Sequence, residues 1–339
     1  MKIGYETIVS YWPETVLKRS DFAYLDQVIP AEQREMFQVP NAPEEVRRIN
    51  DKDGAEILGE RVARKALDAA GLEPSDIDCI IAENEGGKYI IPGVGCAVHQ
   101  RLDFPQYMPV FDIKQGGASF VDASHLAWCL LLSGQYKRIL VVTVAASSAG
   151  GLDKTSPLSM TISDGAAAAI VSSQNLKCEF LSYSTRTDSF IYDQCFVALR
   201  PAEHPELLNE GESEMGIYLA ITPEFFEYQQ RVAKSYVRDL VEKAADKAKL
   251  ALSDLDVIFA HQASMLLMEG WMEGLEEVGV DRGKWKETFN KYGGALNADF
   301  PANLAEFWEE GGLRKDSIVA LFGPGGGGHT SSLILRWLG

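Results

Sequence analysis

Short runs of β-branched and other apolar residues alternate along the chain with stretches whose apolar positions recur every three or four residues. The runs Ile77–Ala82, Ile139–Val144, Ala166–Val171, Asp256–Ala260 and Ile318–Phe322 are short and almost continuously apolar, which predicts buried strands. Between them, Ala55–Ala70 sets Leu58, Val62, Ala66 and Ala69 at helical spacing. Phe120–Leu132 and Phe225–Leu250 predict two further helices, the second carrying Arg231, Lys234, Arg238, Asp239 and Glu242 on a solvated face. Ser331–Leu338 reads as a last strand. Continuously apolar strands separated by helices predict an α/β fold whose sheets are covered on both faces. The polar stretch Cys178–Tyr218 predicts a loop or an insertion.

The pattern repeats. Leu72-Glu-Pro-Ser-Asp-Ile-Asp-Cys-Ile-Ile-Ala82 matches Leu250-Ala-Leu-Ser-Asp-Leu-Asp-Val-Ile-Phe-Ala260: a helix ends, a Ser-Asp turn follows, and a strand opens on an aspartate. The offset, 250 − 72 = 178 residues, is about half of the 339-residue chain. This predicts a duplicated α/β unit, with halves at 1–172 and 173–339.

Charge and composition then narrow the function. With 32 basic and 49 acidic residues the net charge is −17, which opposes binding to nucleic acid. No apolar run of about 18 residues is present, so no membrane span is expected. The N-terminus Met1-Lys-Ile-Gly-Tyr-Glu6 lacks the layout of a secretory signal. The five cysteines, Cys79, Cys96, Cys129, Cys178 and Cys195, form no CxxC pair and are too sparse for a disulfide scaffold. A reducing cytoplasmic setting is expected, with no metal and no cofactor. Cys79 reads as core packing.

Four segments at strand ends hold the candidate chemistry. Val110–Phe120 runs a strand through Gly116-Gly117 into a helix, whose free N–H groups suit an oxyanion or a thiolate. His261 follows a strand and precedes a helix. Lys291–Asn303 carries Gly294, Asn297 and Asp299 toward another helix, where Asp299 is a candidate N-cap ahead of Pro301. Gly323–His329 is a glycine run that lets backbone amides approach a ligand, and it lacks the spacing of a phosphate loop.

In order, these segments resemble the thiolase superfamily, most closely its ketoacyl-acyl-carrier-protein synthase III branch. Further likenesses are Ser10-Tyr-Trp-Pro-Glu14, Ala66–Leu72 followed by Ser75–Asp78, Ser163-Asp-Gly-Ala-Ala-Ala168, His261-Gln-Ala263, and the glycine loop before Ile334–Trp337. The resemblance implies a five-layer αβαβα thiolase fold and an obligate dimer. It also implies chemistry by a cysteine, a histidine and an asparagine. Here Gly117 stands in the cysteine's place and Gly294 in the asparagine's, and only His261 remains. Ser119 is expected to be turned aside, Cys129 to lie in the core, and His125 at the flank of its helix. Asp112-Ile-Lys-Gln115 resembles the approach to the elbow in acyltransferase members of the branch, some of which use an aspartate for the asparagine; Asp299 is the nearest one here, off the matching position. The branch's tryptophan- and arginine-bearing coenzyme A motif is not evident between Asp21 and Asn50.

Two functions follow from that resemblance. One is an acyltransferase that acts on a carrier-protein- or CoA-linked acyl thioester in fatty-acid, polyketide or other secondary metabolism, by direct transfer without an acyl-cysteine. His261 and Asp299 would handle the proton, and Gly117, Ser119, Gly294, Asn297, Gly325 and Gly326 would line the oxyanion and substrate pocket. The other is an inactive subunit paired with an active paralogue. A homodimer or a heterodimer is expected accordingly. An acidic carrier protein would need a local basic patch, for which Lys18-Arg19, Arg47-Arg48, Lys137-Arg138 and the Arg231, Lys234, Arg238 face are candidates.

Overall fold

The computed structural model describes residues 1–27, 43–50, 54–87, 89–149, 152, 157–201 and 215–339. Two five-stranded sheets dominate it. The first joins β1 (Gly4–Tyr11), β4 (Cys79–Gly86), β5 (Val110–Asp112), β6 (Arg138–Ala146) and β7 (Gly165–Ser172) in the order β1-β7-β6-β4-β5. The second joins β8 (Cys178–Thr187), β11 (Val257–Ala260), β12 (Trp285–Lys286), β13 (Ile318–Pro324) and β14 (His329–Trp337) in the order β12-β11-β13-β14-β8. Read from opposite ends the two orders are the same. In each sheet the first strand pairs antiparallel with the last, the last pairs antiparallel with the one before it, and the remaining two pairings are parallel. A duplicated unit accounts for this identity.

The sequence match sits at equivalent places. Asp76 accepts the Glu73 amide and Asp254 accepts the Ala251 amide, both through Oδ2, closing the turn ahead of each strand. Asp78 then accepts the Arg138 amide, and Asp256 the Ile318 amide, which fixes each central strand beside its neighbour.

Seven helices are described. α1 (Ala55–Ala70) and α2 (Val94–Arg101) cover the outer face of the first sheet, packing Leu58, Val62 and Val98 on Leu140 and Val142. α1 buries Leu67 rather than Ala69, which is exposed, and ends at Gly71, whose positive φ suits the left-handed cap. α4 (Pro223–Lys247) and α5 (Met265–Glu276) cover the second sheet. Thr222 caps α4 by accepting the Phe225 amide, and Pro223 occupies its first turn. α3 (Ser119–Leu132) and α7 (Asp299–Glu309) lie between the sheets, where Phe120, Phe300 and Leu304 bury against Ile81, Val141, Phe259 and Leu321. α6 (Phe289–Tyr292) is a single turn. The layers are therefore helix, sheet, helix, sheet, helix, the expected α/β architecture. Among the described residues no helix is long and apolar enough to cross a membrane.

The structure corrects three expectations. Cys178–Thr187 is a strand rather than a loop: its inward positions Cys178, Phe180, Ser182 and Ser184 are buried, and the serines hid the alternation. Cys195–Pro201 (β9) and Met215–Ile221 (β10) form a separate two-stranded ribbon, as do Thr15–Lys18 (β2) and Glu45–Arg48 (β3). The strand expected at Ile77–Ala82 begins at Cys79 and runs on through Glu83-Asn84-Glu85 to Gly86, because the polar residues at its end keep their ladder bonds with β6.

Candidate active site between two helix starts

α3 and α7, the two helices of the central layer, both begin with a 3-10 turn: Gly116–Ala118 before α3 and Leu296–Ala298 before α7. The ends of β4 and β11 point at the same place, so Glu83 follows Ala82 as His261 follows Ala260. Around this centre lies a cavity of about 1230 Å³. His261, Glu83, Glu85, Gly117 and the loop Gly325–Gly327 reach it, and apolar side chains such as Ile162, Phe196, Leu267 and Phe289 extend it outward.

His261 Nδ1 donates to Asp299 Oδ2 at 2.8 Å and lies 3.1 Å from the Leu296 carbonyl oxygen. Two acceptors at Nδ1 fix the proton there, so Nε2 is the nitrogen left for the cavity. Burial would lower the imidazole's pKa, but the Asp299 carboxylate, Glu85 and the Leu296 carbonyl outweigh it and raise the pKa above its ordinary value. Asp299 is fully buried; its Oδ2 also accepts the Gln262 amide at 2.9 Å, and its Oδ1 accepts the Phe300 amide at 2.5 Å. It is the first residue of α7 rather than the N-cap, which is Ala298. The result is a carboxylate-oriented histidine at a helix start.

Gly117 faces the His261 ring. A Cβ there would stand 3.0 Å from His261 Cγ and collide with the Pro324 carbonyl oxygen. Gly325 is equally constrained, because a Cβ would collide with the Gln115 carbonyl. Gly326 brings its amide nitrogen within 3.4 Å of where a Cβ on Gly116 would stand, so the glycine loop and the elbow lie against each other. The Gly325 amide is spent on the His329 carbonyl at 2.7 Å. Gly294 lines the cavity, with its amide on the Thr161 carbonyl and no room for a Cβ beside the Gln262 carbonyl.

Two expected pocket residues lie behind its wall. Ser119 is fully buried and its Oγ accepts the Gln115 amide at 3.1 Å, because it caps the turn instead of facing the cavity. Asn297 is also fully buried, and neither amide atom has a hydrogen-bond partner. Cys129, expected in the core, is exposed on α3 with its thiol 3.7 Å from His125 Nε2. His125 stacks on Tyr183 with 3.8 Å between ring centroids. Cys79 and Cys178 are buried in the core, and burial pushes both thiols up to about 12. Cys195 does line the cavity, but burial and the nearby Glu85 push its thiol up to about 12 as well, far from the thiolate a nucleophile needs.

Sequence reasoning missed the carboxylates of β4. Glu83 Oε1 accepts the Gln115 and Gly116 amides at 3.3 and 3.0 Å, which holds the elbow, while its Oε2 is buried without a partner. Burial, then Glu85, raise its pKa well above the ordinary carboxylate value. Glu85 sets Oε1 3.2 Å from where a Cβ on Gly116 would stand. For Glu83 a signal was available: it follows the apolar run in register with His261 in the repeat.

The basic candidates are largely engaged. Arg48 is buried against the Ile162 and Ser159 carbonyls, Arg138 pairs with Glu6, and Lys234 and Arg238 pair with Glu277. Among the described residues Lys18 and Arg19 carry no ion pair. Of the span searched for a coenzyme A motif, residues 28–42 lie outside those described.

Comparison with known proteins matches 111–189 to the family model "3-Oxoacyl-[acyl-carrier-protein (ACP)] synthase III" and 245–337 to that family's C-terminal model. The beta-ketoacyl-[acyl-carrier-protein] synthase III of Fusobacterium nucleatum is 27% identical over 339 residues, covering 99% of this chain and 98% of that protein. Among solved structures, 3-oxoacyl-(acyl carrier protein) synthase III of Pseudomonas aeruginosa superposes with a TM-score of 0.82 at 21% identity, covering 100% of this chain and 99% of that one. Xanthomonas campestris OleA, solved with lauric acid and lauroyl-CoA bound, superposes with a TM-score of 0.81 at 19% identity over 99% of both chains.

Proposed function

Since the chain belongs to the 3-oxoacyl-[acyl-carrier-protein] synthase III family in both of its halves, we propose that it transfers an acyl group from a CoA- or carrier-protein-linked thioester, in fatty-acid or polyketide-type metabolism, directly to an acceptor and without an acyl-enzyme. The observation that carries this reading is the pairing of an intact His261–Asp299 dyad with a glycine, Gly117, directly across from it.

In this reading the thioester carbonyl lies at the elbow, and the amides of Gly117 and Gly326 receive the developing oxyanion. The cavity exceeds the roughly 300–1,000 Å³ of common ligand sites, which leaves room for an acyl chain together with its thiol arm. His261 moves the proton at the reacting carbon, and Asp299 sets its tautomer and orientation. Gly117 offers no atom to form a covalent intermediate. Gly294, Gly325 and Gly326 shape the wall, and Ser119 and Asn297 support it from behind.

A second copy, or a paralogue, docks on the open edge of β5, where Phe111 is exposed. The two halves divide at 172 and 173. An inactive-subunit role needs neither the dyad nor the open cavity, so the enzymatic reading is preferred.

The test is thiol release from dodecanoyl-CoA and from the dodecanoyl carrier protein, with primary amines and alcohols as acceptors. Acceptor-dependent release that His261→Ala abolishes is the expected result. Full turnover in His261→Ala would overturn the mechanism.

A further inference from the structure

The dyad explains how a proton is delivered, but direct transfer needs a second group. Its own geometry limits His261: Nδ1 is committed to the Asp299 carboxylate and the Leu296 carbonyl, both of which favour the protonated ring, so Nε2 is the one nitrogen left to serve the departing sulfur. An acceptor attacking a thioester must lose a proton as the thiolate leaves, so a base is required beside the same carbon.

Glu85 is in position. It lies at the end of β4, lines the cavity, and sets its carboxylate against Gly116 while His261 lies against Gly117. The two groups thus flank adjacent elbow residues. Among the described residues no hydrogen bond or ion pair engages the Glu85 carboxylate. Lys114, the nearest cation on the elbow strand, donates instead to the Asn84 carbonyl. A second observation points the same way: Glu83 also lines the cavity, is only 2% exposed, and keeps Oε2 out of any hydrogen bond on the side where Asn297 lies. The groups electrostatically facing Glu85 are Lys114, His261, Asp299, Glu83 and the Cys195 thiol. With Glu85 itself the centre holds three carboxyls, Glu83, Glu85 and Asp299, against Lys114 and His261, so it favours an occupant that supplies N–H donors or positive charge and disfavours an anionic head.

Resting on the acyl-transfer reading above, we propose that the acceptor is an amine and that Glu85 is the base that receives its proton. The amine nitrogen attacks the thioester carbon, forming the C–N bond as the C–S bond breaks. The amine proton passes to Glu85, and His261 gives its Nε2 proton to the departing sulfur. Proton return from Glu85 to His261 restores both groups, so a thioester and an amine become an amide and a thiol with no net proton change. Burial raises the Glu85 carboxyl above the ordinary carboxylate range, which makes it a better base than an exposed glutamate.

Two measurements test this. The first is calorimetric binding of dodecylamine, with dodecanol as the control, to the wild-type protein and to Glu85→Gln. The wild type is expected to bind dodecylamine at least tenfold more tightly than dodecanol, with that preference lost in Glu85→Gln while dodecanol affinity stays the same. Absence of an amine preference in the wild type would overturn the proposal and does not depend on any variant folding. The second is amide formation from dodecanoyl-CoA and glycine ethyl ester, in which Glu85→Gln is expected to lower kcat at least 100-fold with KM for the thioester little changed. Wild-type activity that Glu85→Gln retains would also overturn it. If the wild type transfers no acyl group to any acceptor, acyl transfer itself fails, and the binding arm still decides the amine site.

Discussion

The N-terminal and C-terminal sheets repeat one topology, yet they bring different chemistry to the centre they share. Where β11 ends, His261 is held by the first residue of α7. On β4, which runs on past this point, Glu83 stands in the place equivalent to His261 and holds the backbone of the turn before α3. Ser119, the first residue of α3, corresponds to Asp299 but only bonds its own turn. The C-terminal half therefore presents a side chain to the cavity and braces it, while the N-terminal half presents backbone amides and braces those. The two helix starts thus differ at single positions, one braced around a histidine side chain and the other around backbone amides.

That contrast is sharpest at His261 and Glu83. His261→Ala should lower acyl transfer by about 10²–10⁴-fold, as expected for loss of a positioned acid–base group. Glu83→Gln, which keeps Oε1 as an acceptor for both elbow amides, should leave the rate within tenfold. Steady-state kinetics on both variants checks this; equal losses would erase the difference between the halves. Asp299→Asn should move the His261 titration downward, since the carboxylate raises it, and NMR of the imidazole would show the shift.

Gly117→Cys restores the side chain that the family resemblance places there. The Pro324 carbonyl and the His261 ring leave no room, so this variant should lose about 1–3 kcal/mol by overpacking and gain no acylation. Denaturant unfolding and mass spectrometry report the two effects separately. A stable, acylated Gly117→Cys would mean that the elbow still fits a nucleophile.

Glu83 also has a signature in the pH dependence of stability. Its folded-state pKa is raised by burial, so its contribution is most favourable below the unfolded carboxylate value and is lost as pH rises toward the folded one. Glu83→Gln should remove that loss and gain a few degrees of Tm at pH 8, with little gain at pH 4. A gain that is the same at both pH values would mean that its charge is not buried.

The smallest effects should be equal across the halves. Asp76→Ala and Asp254→Ala each remove one turn-closing acceptor and should each cost about 0.5–2 kcal/mol, the usual range for a lost cap, at the low end because both turns are exposed. Thermal unfolding of the two variants would show whether the duplicated turns remain energetically matched.

Much of this was legible in the sequence, for physical reasons. Ala55–Ala70 was visible because one face of a helix must be apolar, and the repeat was visible because both copies keep the same aspartates for the same backbone bonds. His261 and Asp299 stood out as polar residues where a buried strand ends and a buried helix begins. Cys178–Thr187 was not legible, because a strand between a sheet and a helix can bury serines that bond to backbone, as Ser182 does to the Ala244 carbonyl. Glu85 was not legible either, since an acidic residue after an apolar run looks like the start of a solvated loop until β6 is seen to extend the ladder past it. Asn297 was assigned to the pocket by proximity along the chain, but it sits inside the 3-10 turn before α7 and is buried behind the wall; Ser119, also assigned there although expected to be turned aside, caps its own turn at the start of α3.

The central claim is direct transfer past Gly117, and intact-protein mass spectrometry during turnover of dodecanoyl-CoA tests it most directly. The account predicts acceptor-dependent release of CoA while the protein keeps its unmodified mass at every time point. A dodecanoyl adduct that forms and decays at the turnover rate, on Cys195 or on any other side chain, would contradict it.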